Sequence, residues 1–327
     1  MIANKLQLGD EIRVIAPARS LGIVSQELRD IATVRLNEMG FKVTFGRHVE
    51  EKDDFNSSSV QSRIEDLHEA FADPNVRGIL TVIGGFNSNQ LFDYIDWELI
   101  ARNPKVICGF SDITALNNAI YAKTGLVTYS GPHYSSFGQK LYFDYTLDYF
   151  KKCCINNDQF PIYASENWSD DHWHSNQDDR HLMPNPGFVV INEGQAEGTL
   201  LGGNLCTFNL LQGTQYMPSL DNSILFIEDD VIGNHMDFAE FDRNLQSLIH
   251  MPQFKGVRGI AIGRFQKESV INDSLLHQII KSKRELDDMP VISGVDFGHS
   301  DPKITFPIGG TVVIDTDADV KLRIISH

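Results

Sequence analysis

The sequence predicts an α/β protein in two halves: an N-terminal doubly wound, mostly parallel sheet, then a C-terminal β-rich α/β unit. Three observations carry that expectation. Short apolar runs alternate with stretches of helical spacing through the first half, as β-α-β units require. A polar, acidic segment without any period, 164–186, interrupts the chain where its composition shifts. Beyond it, compact apolar strands recur and the chain closes on a hairpin-like tail. The expected units are therefore residues 1–163, a linker or mobile loop at 164–186, and residues 187–327.

Residues 10–17 (Asp-Glu-Ile-Arg-Val-Ile-Ala-Pro) form the first expected strand, residues 25–39 an amphipathic helix stopped by Gly40, and residues 41–44 the next strand. A helix over 60–72 ends at Asp73-Pro74-Asn75, and 76–83 is again a strand. It delivers Ile83-Gly-Gly-Phe-Asn-Ser-Asn-Gln90, ahead of a helix through Leu91, Tyr94 and Ile95. Paired glycines there either make a plain turn capped by Asn87 or Ser88, or bring backbone N–H groups to a ligand. The pattern is neither G-x-G-x-x-G nor a P-loop. The linker carries Trp168 and Trp173, which serve to anchor it or to stack on a planar ligand group. His172 and His174 within it lack a third ligand at usable spacing, so no metal is expected. In the second half, strands are expected at 187–191, 196–205, 223–227, 259–262 and 290–295, helices at 238–250 and 273–284, and a closing hairpin at 303–325.

A formal net charge of -16, from 28 Lys+Arg against 44 Asp+Glu, argues against nucleic-acid or anionic-membrane partners. No run approaches the roughly 18 apolar residues that span a bilayer, and the N-terminus lacks a basic, then apolar, leader. A cytoplasmic protein follows as the expectation. The four cysteines make no C-x-x-C pair, so free thiols are expected, with Cys108 an apolar filler in a buried strand.

The stretch with most chemical content is Lys105-Val-Ile-Cys-Gly-Phe-Ser-Asp-Ile-Thr-Ala-Leu116. A short buried strand runs through a tight turn into a helix, and the period changes at Ser111. Such a turn holds a hydroxyl clear of the sheet beside the free N–H groups of a helix N-terminus. The second glycine of G-x-S-x-G is missing, and Ser111 or Asp112 could simply cap the helix. Were the two loops adjacent, a Gly84 or Gly85 N–H and the Asp112 N–H would form an oxyanion hole. Glu228-Asp229-Asp230 ends a buried strand, as an acidic turn or as part of a site, and His299 sits between Gly298 and Pro302 in a loop. His133, beside Gly131-Pro132, ranks below His299 as a general base.

Taken in order, Gly84-Gly-Phe-Asn-Ser88, Gly109-Phe-Ser-Asp-Ile-Thr-Ala-Leu116, Gly202-Gly-Asn-Leu205, Leu225-Phe-Ile-Glu-Asp229 and Val295-Asp-Phe-Gly-His299 resemble the LD-carboxypeptidase family of serine peptidases. Within it, Phe86-Asn-Ser-Asn89, the tryptophan-bearing loop and the stretch 298–307 are most similar to the microcin C self-immunity branch. The resemblance implies a Ser111-Glu228-His299 triad, an active site between the two halves, a homodimer, and neither cofactor nor metal. For the immunity branch it implies cleavage of an amide-type bond joining a peptide or amino acid to a nucleotide. Phe86, Asn87, Ser88, Trp168 and Trp173 would then contact substrate, a tryptophan stacking on adenine. Murein tetrapeptide is the substrate of the family's other branch, in which Arg precedes the glycine pair and Tyr-Gly follows it. A non-catalytic binder of small ligands is the reading from a different class.

Overall fold

The computed structural model describes residues 1–231 and 236–327. The first half alternates as expected: β1 (Glu11–Ile15), α1 (Gln26–Glu38), β2 (Lys42–Phe45), α2 (Val60–Ala72), β3 (Val76–Thr81), α3 (Trp97–Arg102), β4 (Val106–Cys108), α4 (Ile113–Thr124), β5 (Thr128–Ser130) and α5 (Asp144–Cys154). Local chemistry sets several boundaries. Ser25 accepts the Leu28 N–H and starts α1; Ser59 does the same for Ser62 in α2. Past α5 come β6 (Phe160–Ile162), the short ribbon β7 (Asn167–Trp168) and β8 (Met183–Pro184), then β9 (Val189–Asn192), β10 (Gln195–Asn204), α6 (Leu205–Asn209), β11 (Ser223–Glu228), α7 (Asp237–Ile249), β12 (Val257–Gly263), α8 (Asp273–Lys281), β13 (Val291–Val295), β14 (Phe306–Ile308), β15 (Thr311–Asp315) and β16 (Leu322–Ser326).

The first sheet has the order β14-β5-β4-β3-β1-β2, parallel except for β14. Strand order reverses between β1 and β3, so the carboxyl ends of β1, β3 and β4 flank the crevice where such sheets take ligands. The second sheet runs β6-β16-β15-β10-β11-β12-β13-β9, with β10 to β13 parallel and the flanking pairs antiparallel.

Four expectations change. The helix expected through Leu91, Tyr94 and Ile95 is a 3-10 turn, Ser88–Tyr94. The tail is more than a hairpin, because β14 pairs with β5 in the first sheet while β15 and β16 pair in the second. Correspondingly β6, placed in the first half by the boundary at 163, is an edge strand of the second sheet. Each sheet thus borrows an edge from the other half of the chain. Finally, 164–186 is docked rather than a free linker: Ser169 and Asp301 exchange backbone hydrogen bonds of 2.7 and 2.8 Å, and Gln177 Nε2 donates to the Gly138 carbonyl at 2.9 Å.

The two sheets and their helices also share apolar and polar contacts. Phe306 on β14 packs at 5.2 Å from both Phe226 on β11 and Phe297. Asn118 of α4 exchanges hydrogen bonds with the Gly202 backbone, and Thr114 Oγ1 accepts the Asn204 N–H at 3.0 Å. The Gly-Gly-Asn run ending β10 therefore serves close approach to the serine's own helix, since a Cβ on Gly203 would lie 2.4 Å from Thr114 Oγ1. All four cysteines are unpaired, and Cys108 is buried.

Candidate active site

Between β4 and α4 the chain makes the sharp turn that the change of period predicts. Ser111 sits at φ +61°, a left-handed conformation that an L-residue adopts at a cost of order 1–3 kcal/mol. Two neighbours hold it there. Asn117, one turn into α4, donates to the carbonyls of Gly109 and Tyr129 at 3.0 and 3.1 Å. Gly109 lies so close to β3 that a Cβ would stand 2.1 Å from Thr81 Oγ1. The strain directs the hydroxyl off the sheet edge toward the second half of the chain.

From that half comes His299, whose Nε2 lies 3.0 Å from Ser111 Oγ and whose Nδ1 lies 2.9 Å from Glu228 Oε2. Glu228 is the last residue of β11 and is 2% exposed. A carboxylate can only accept, so Nδ1 carries a proton, and in the neutral ring Nε2 is left to receive one from the serine. Gly298, at φ +99°, allows this closeness: a Cβ there would meet Glu228 Oε2 at 2.4 Å. Burial alone disfavours a charged ring, but the Glu228 carboxylate, its hydrogen bond and Asp230, 3.5 Å from Nε2, outweigh burial and raise the His299 pKa to about 9. Burial beside Glu228 pushes neighbouring Asp229 up to about 7, against the hydrogen bond it accepts from Asn204.

The glycine loop lies against the serine. A Cβ on Gly84 would be 2.9 Å from Ser111 Oγ and 3.6 Å from the Asp112 nitrogen, whereas Gly85 abuts Ala18 and Arg19. The Gly84 carbonyl accepts from Arg19 N (3.3 Å) and Nε (3.1 Å). In a planar trans peptide the Gly85 N–H then points the opposite way, away from Arg19.

Asp112 does not cap its own helix by its side chain. Its carboxylate accepts the N–H groups of Asn87 (3.1 Å) and Ser88 (2.9 Å), and its carbonyl accepts the Ser88 hydroxyl at 2.8 Å. Burial raises its pKa, with those N–H groups pulling the other way. Asn87 and Ser88, expected to touch substrate, are thus tied to Asp112, and Ser88 is fully buried. Phe86 is 87% exposed and lies over Arg19 outside the cleft.

A cavity of about 520 Å³ opens over Ser111 and His299, lined also by Arg19, Phe110, His133 and Lys303 and by Trp173 from the docked loop. Trp168, the other expected stacking residue, faces a different pocket, with the Arg264 guanidinium 5.0 Å from its ring centroid. His133 lies tilted against Phe110, with ring centroids 4.4 Å apart, and shares a 2.7 Å hydrogen bond with Thr81 Oγ1. Burial, then the Lys303, His299 and Arg19 charges, holds its pKa well below the usual histidine value, so it stays neutral and is not the serine's partner. His172 and His174 line the same cavity, and the described residues contain no cluster of three metal-ligating side chains. Arg19 and Lys303 were not foreseen. Arg19 follows the carboxyl end of β1, at the reversal of strand order, which is the signal that would have marked it. Lys303, paired with Asp301, sits in an irregular segment with no such signal.

Comparison with known proteins fits this geometry. The LD-carboxypeptidase N-terminal domain matches residues 12–131 and the C-terminal domain matches residues 197–314. The putative carboxypeptidase YocD of Bacillus subtilis is 54% identical over 96% of this chain and 96% of its own. A crystal structure of an MccF-like protein from Bacillus anthracis superposes with a TM-score of 0.99 at 52% identity, over 100% of both chains. The microcin C7 self-immunity protein MccF of Escherichia coli is 30% identical over 97% of this chain and 94% of its own. Its structure in complex with aspartyl sulfamoyl adenosine superposes with a TM-score of 0.87 at 29% identity, covering 100% of this chain and 98% of that one. The fold and the two matched domains define a serine-type carboxypeptidase. More particularly, the chain belongs to the LD-carboxypeptidase family, peptidase S66.

Proposed function

We propose that Ser111, His299 and Glu228 are nucleophile, general base and orienting carboxylate of a carboxypeptidase that cleaves the amide-type bond of aminoacyl- or peptidyl-nucleotides. The observation that carries the assignment is the continuous chain Ser111 Oγ, His299, Glu228, with links of 3.0 and 2.9 Å. His299 Nε2 takes the hydroxyl proton as Oγ adds to the carbonyl carbon, and Glu228 stabilises the imidazolium. The N–H groups of Asp112 and Gly85 face the developing oxyanion, each such donor being worth about 10²–10³ in rate. Collapse expels the leaving nitrogen, which takes the proton back from Nε2, and water then hydrolyses the acyl-serine by the same proton path.

Several features favour the nucleotide-bearing substrate. Ile83 precedes the glycine pair and Phe86-Asn87 follow it, unlike the murein pattern. Trp173 in the cavity wall offers a ring to a nucleobase, and Arg19 and Lys303 offer positive charge. The ligand of the superposed MccF complex is of this class. A homodimer belongs to the same reading, on the family resemblance of the sequence motifs. The discriminating experiment is turnover of an aminoacyl-sulfamoyl adenosine beside murein tetrapeptide. The expected result is preference for the former, with Ser111→Ala reducing turnover by ~10⁴-fold or more. Preference for the tetrapeptide transfers the chemistry to murein. No turnover of either, with no labelling of Ser111 by a serine-directed phosphonate, leaves a binding protein.

A further inference from the structure

A second pocket of about 470 Å³ lies beside the catalytic cavity, and Gln266 contributes to the wall of both. The Gln266 side chain accepts the Val231 N–H at 3.1 Å, and the Lys267 N–H donates to Asp170 at 2.6 Å, both partners being at the catalytic cavity. The two spaces therefore share one hydrogen-bonded wall residue, Gln266. The lining of the second pocket includes the apolar side chains of Trp168, Phe265 and Leu276 together with Lys267.

Three features set this pocket apart from a surface dent. Lys267 is exposed, its ammonium lies 5.7 Å from the Trp168 ring centroid, and it has no carboxylate partner among the described residues. Arg264, which also lines the pocket, lies 5.0 Å from the Trp168 ring centroid, and its charge is already answered by buried Asp296 and by hydrogen bonds to Asn185 and the Gly294 carbonyl. Val270, on the rim, is held at φ +56° with its side chain about half exposed. A β-branched residue in that conformation is a backbone outlier, and such strain gathers where a chain is shaped around a ligand.

We propose that this pocket is a distal subsite of the same cleft, taking a carboxylate-bearing residue on the acyl side of an extended peptide substrate. The proposal rests on the serine-hydrolase reading above. A carboxypeptidase releases the group at the carboxyl end, so chain running away from the scissile bond belongs to the acyl part. Its path from Ser111 over Gln266 reaches an aromatic ring with one unanswered positive charge, which suits a side chain that is part apolar and ends in a carboxylate. The charge of Asp273, at the rim where α8 begins, opposes the same ligand and limits the affinity.

The test uses two peptidyl substrates that differ only in Glu or Gln at the residues two and three positions before the scissile bond. The wild-type protein is expected to favour the Glu pair by about fivefold, the size of a single partly solvated ion pair, through KM rather than kcat. Lys267→Gln should bring the ratio to about one, Lys267→Glu should invert it, and Asp273→Asn should increase it. Calorimetric titration of the Ser111→Ala variant with the two peptides reads the same preference without turnover. Binding that favours Glu and depends on Lys267, without hydrolysis by the wild type, overturns the catalytic reading and keeps the pocket. Hydrolysis or binding indifferent to Glu against Gln, or a preference that survives Lys267→Gln, overturns the subsite.

Discussion

His299 is held between two carboxylates that ask different things of it. Glu228, buried at the end of β11, fixes the ring by its Nδ1 proton; Asp230, exposed, lies 3.5 Å from the nitrogen that must be free to act. A pKa of about 9 means that near neutrality roughly one ring in a hundred is in the base form. A base works deprotonated, so kcat/KM, which reports the free enzyme, should climb with pH up to about 9 and level there. Asp230→Asn removes one source of the upward shift and should move the midpoint toward neutrality, raising activity at pH 7 while leaving the alkaline plateau little changed. A pH profile flat between 7 and 9, or unmoved by the substitution, would refute this account of the ring. Each of the three side chains stood out in the sequence as a candidate because it ends or follows a short apolar strand beside glycine or an acidic turn, but their grouping as a triad came from the resemblance of five motifs in order. Arg19 and Lys303 did not stand out, since a cation becomes part of a site only through what the fold places beside it.

At the scale of elements, the turn from β4 to α4 was readable from the shift of apolar spacing at Ser111, but the work of Asp112 was not. Spacing says where a helix starts; it does not say that the first carboxylate leans away to hold a different loop. The structure shows Asp112 acting as the strut between the elbow and the residues after Gly84-Gly85. Asp112→Ala should leave the buried Ser88 N–H without an acceptor, costing about 1–3 kcal/mol of stability. Release of the glycine loop should lower kcat by about 10²-fold, the usual consequence of displacing a reacting group by an ångström. Denaturant titration and steady-state kinetics check the two effects, and an unaltered kcat would show that the loop keeps its place without the strut.

For the molecule as a whole, the two sheets are not two independent folding units. The edge strands β6 and β14 are both Phe-Pro-Ile, three residues without a period, in which proline withholds one backbone donor. Such a tripeptide suits a sheet edge, but nothing in it names the sheet, so the sequence placed one in the wrong half and merged the other into a hairpin. Pairing of β6 with β16 and of β14 with β5 ties each sheet to chain from the other side of 164–186. The Phe226, Phe297 and Phe306 cluster and the contacts of α4 with the end of β10 add buried area to the same joint. Domains that merely touch unfold in separate steps, whereas halves that exchange sheet edges lose their edges together. Scanning calorimetry should therefore give one transition whose calorimetric and van't Hoff enthalpies agree, and a fragment of residues 1–163, lacking β14, should not fold alone. Two resolved transitions, or a folded 1–163 fragment, would mean that the exchanged strands decorate sheets already stable without them. The active site would then depend on docking of two bodies, because Ser111 belongs to one sheet while Glu228 and His299 come from strand ends of the other.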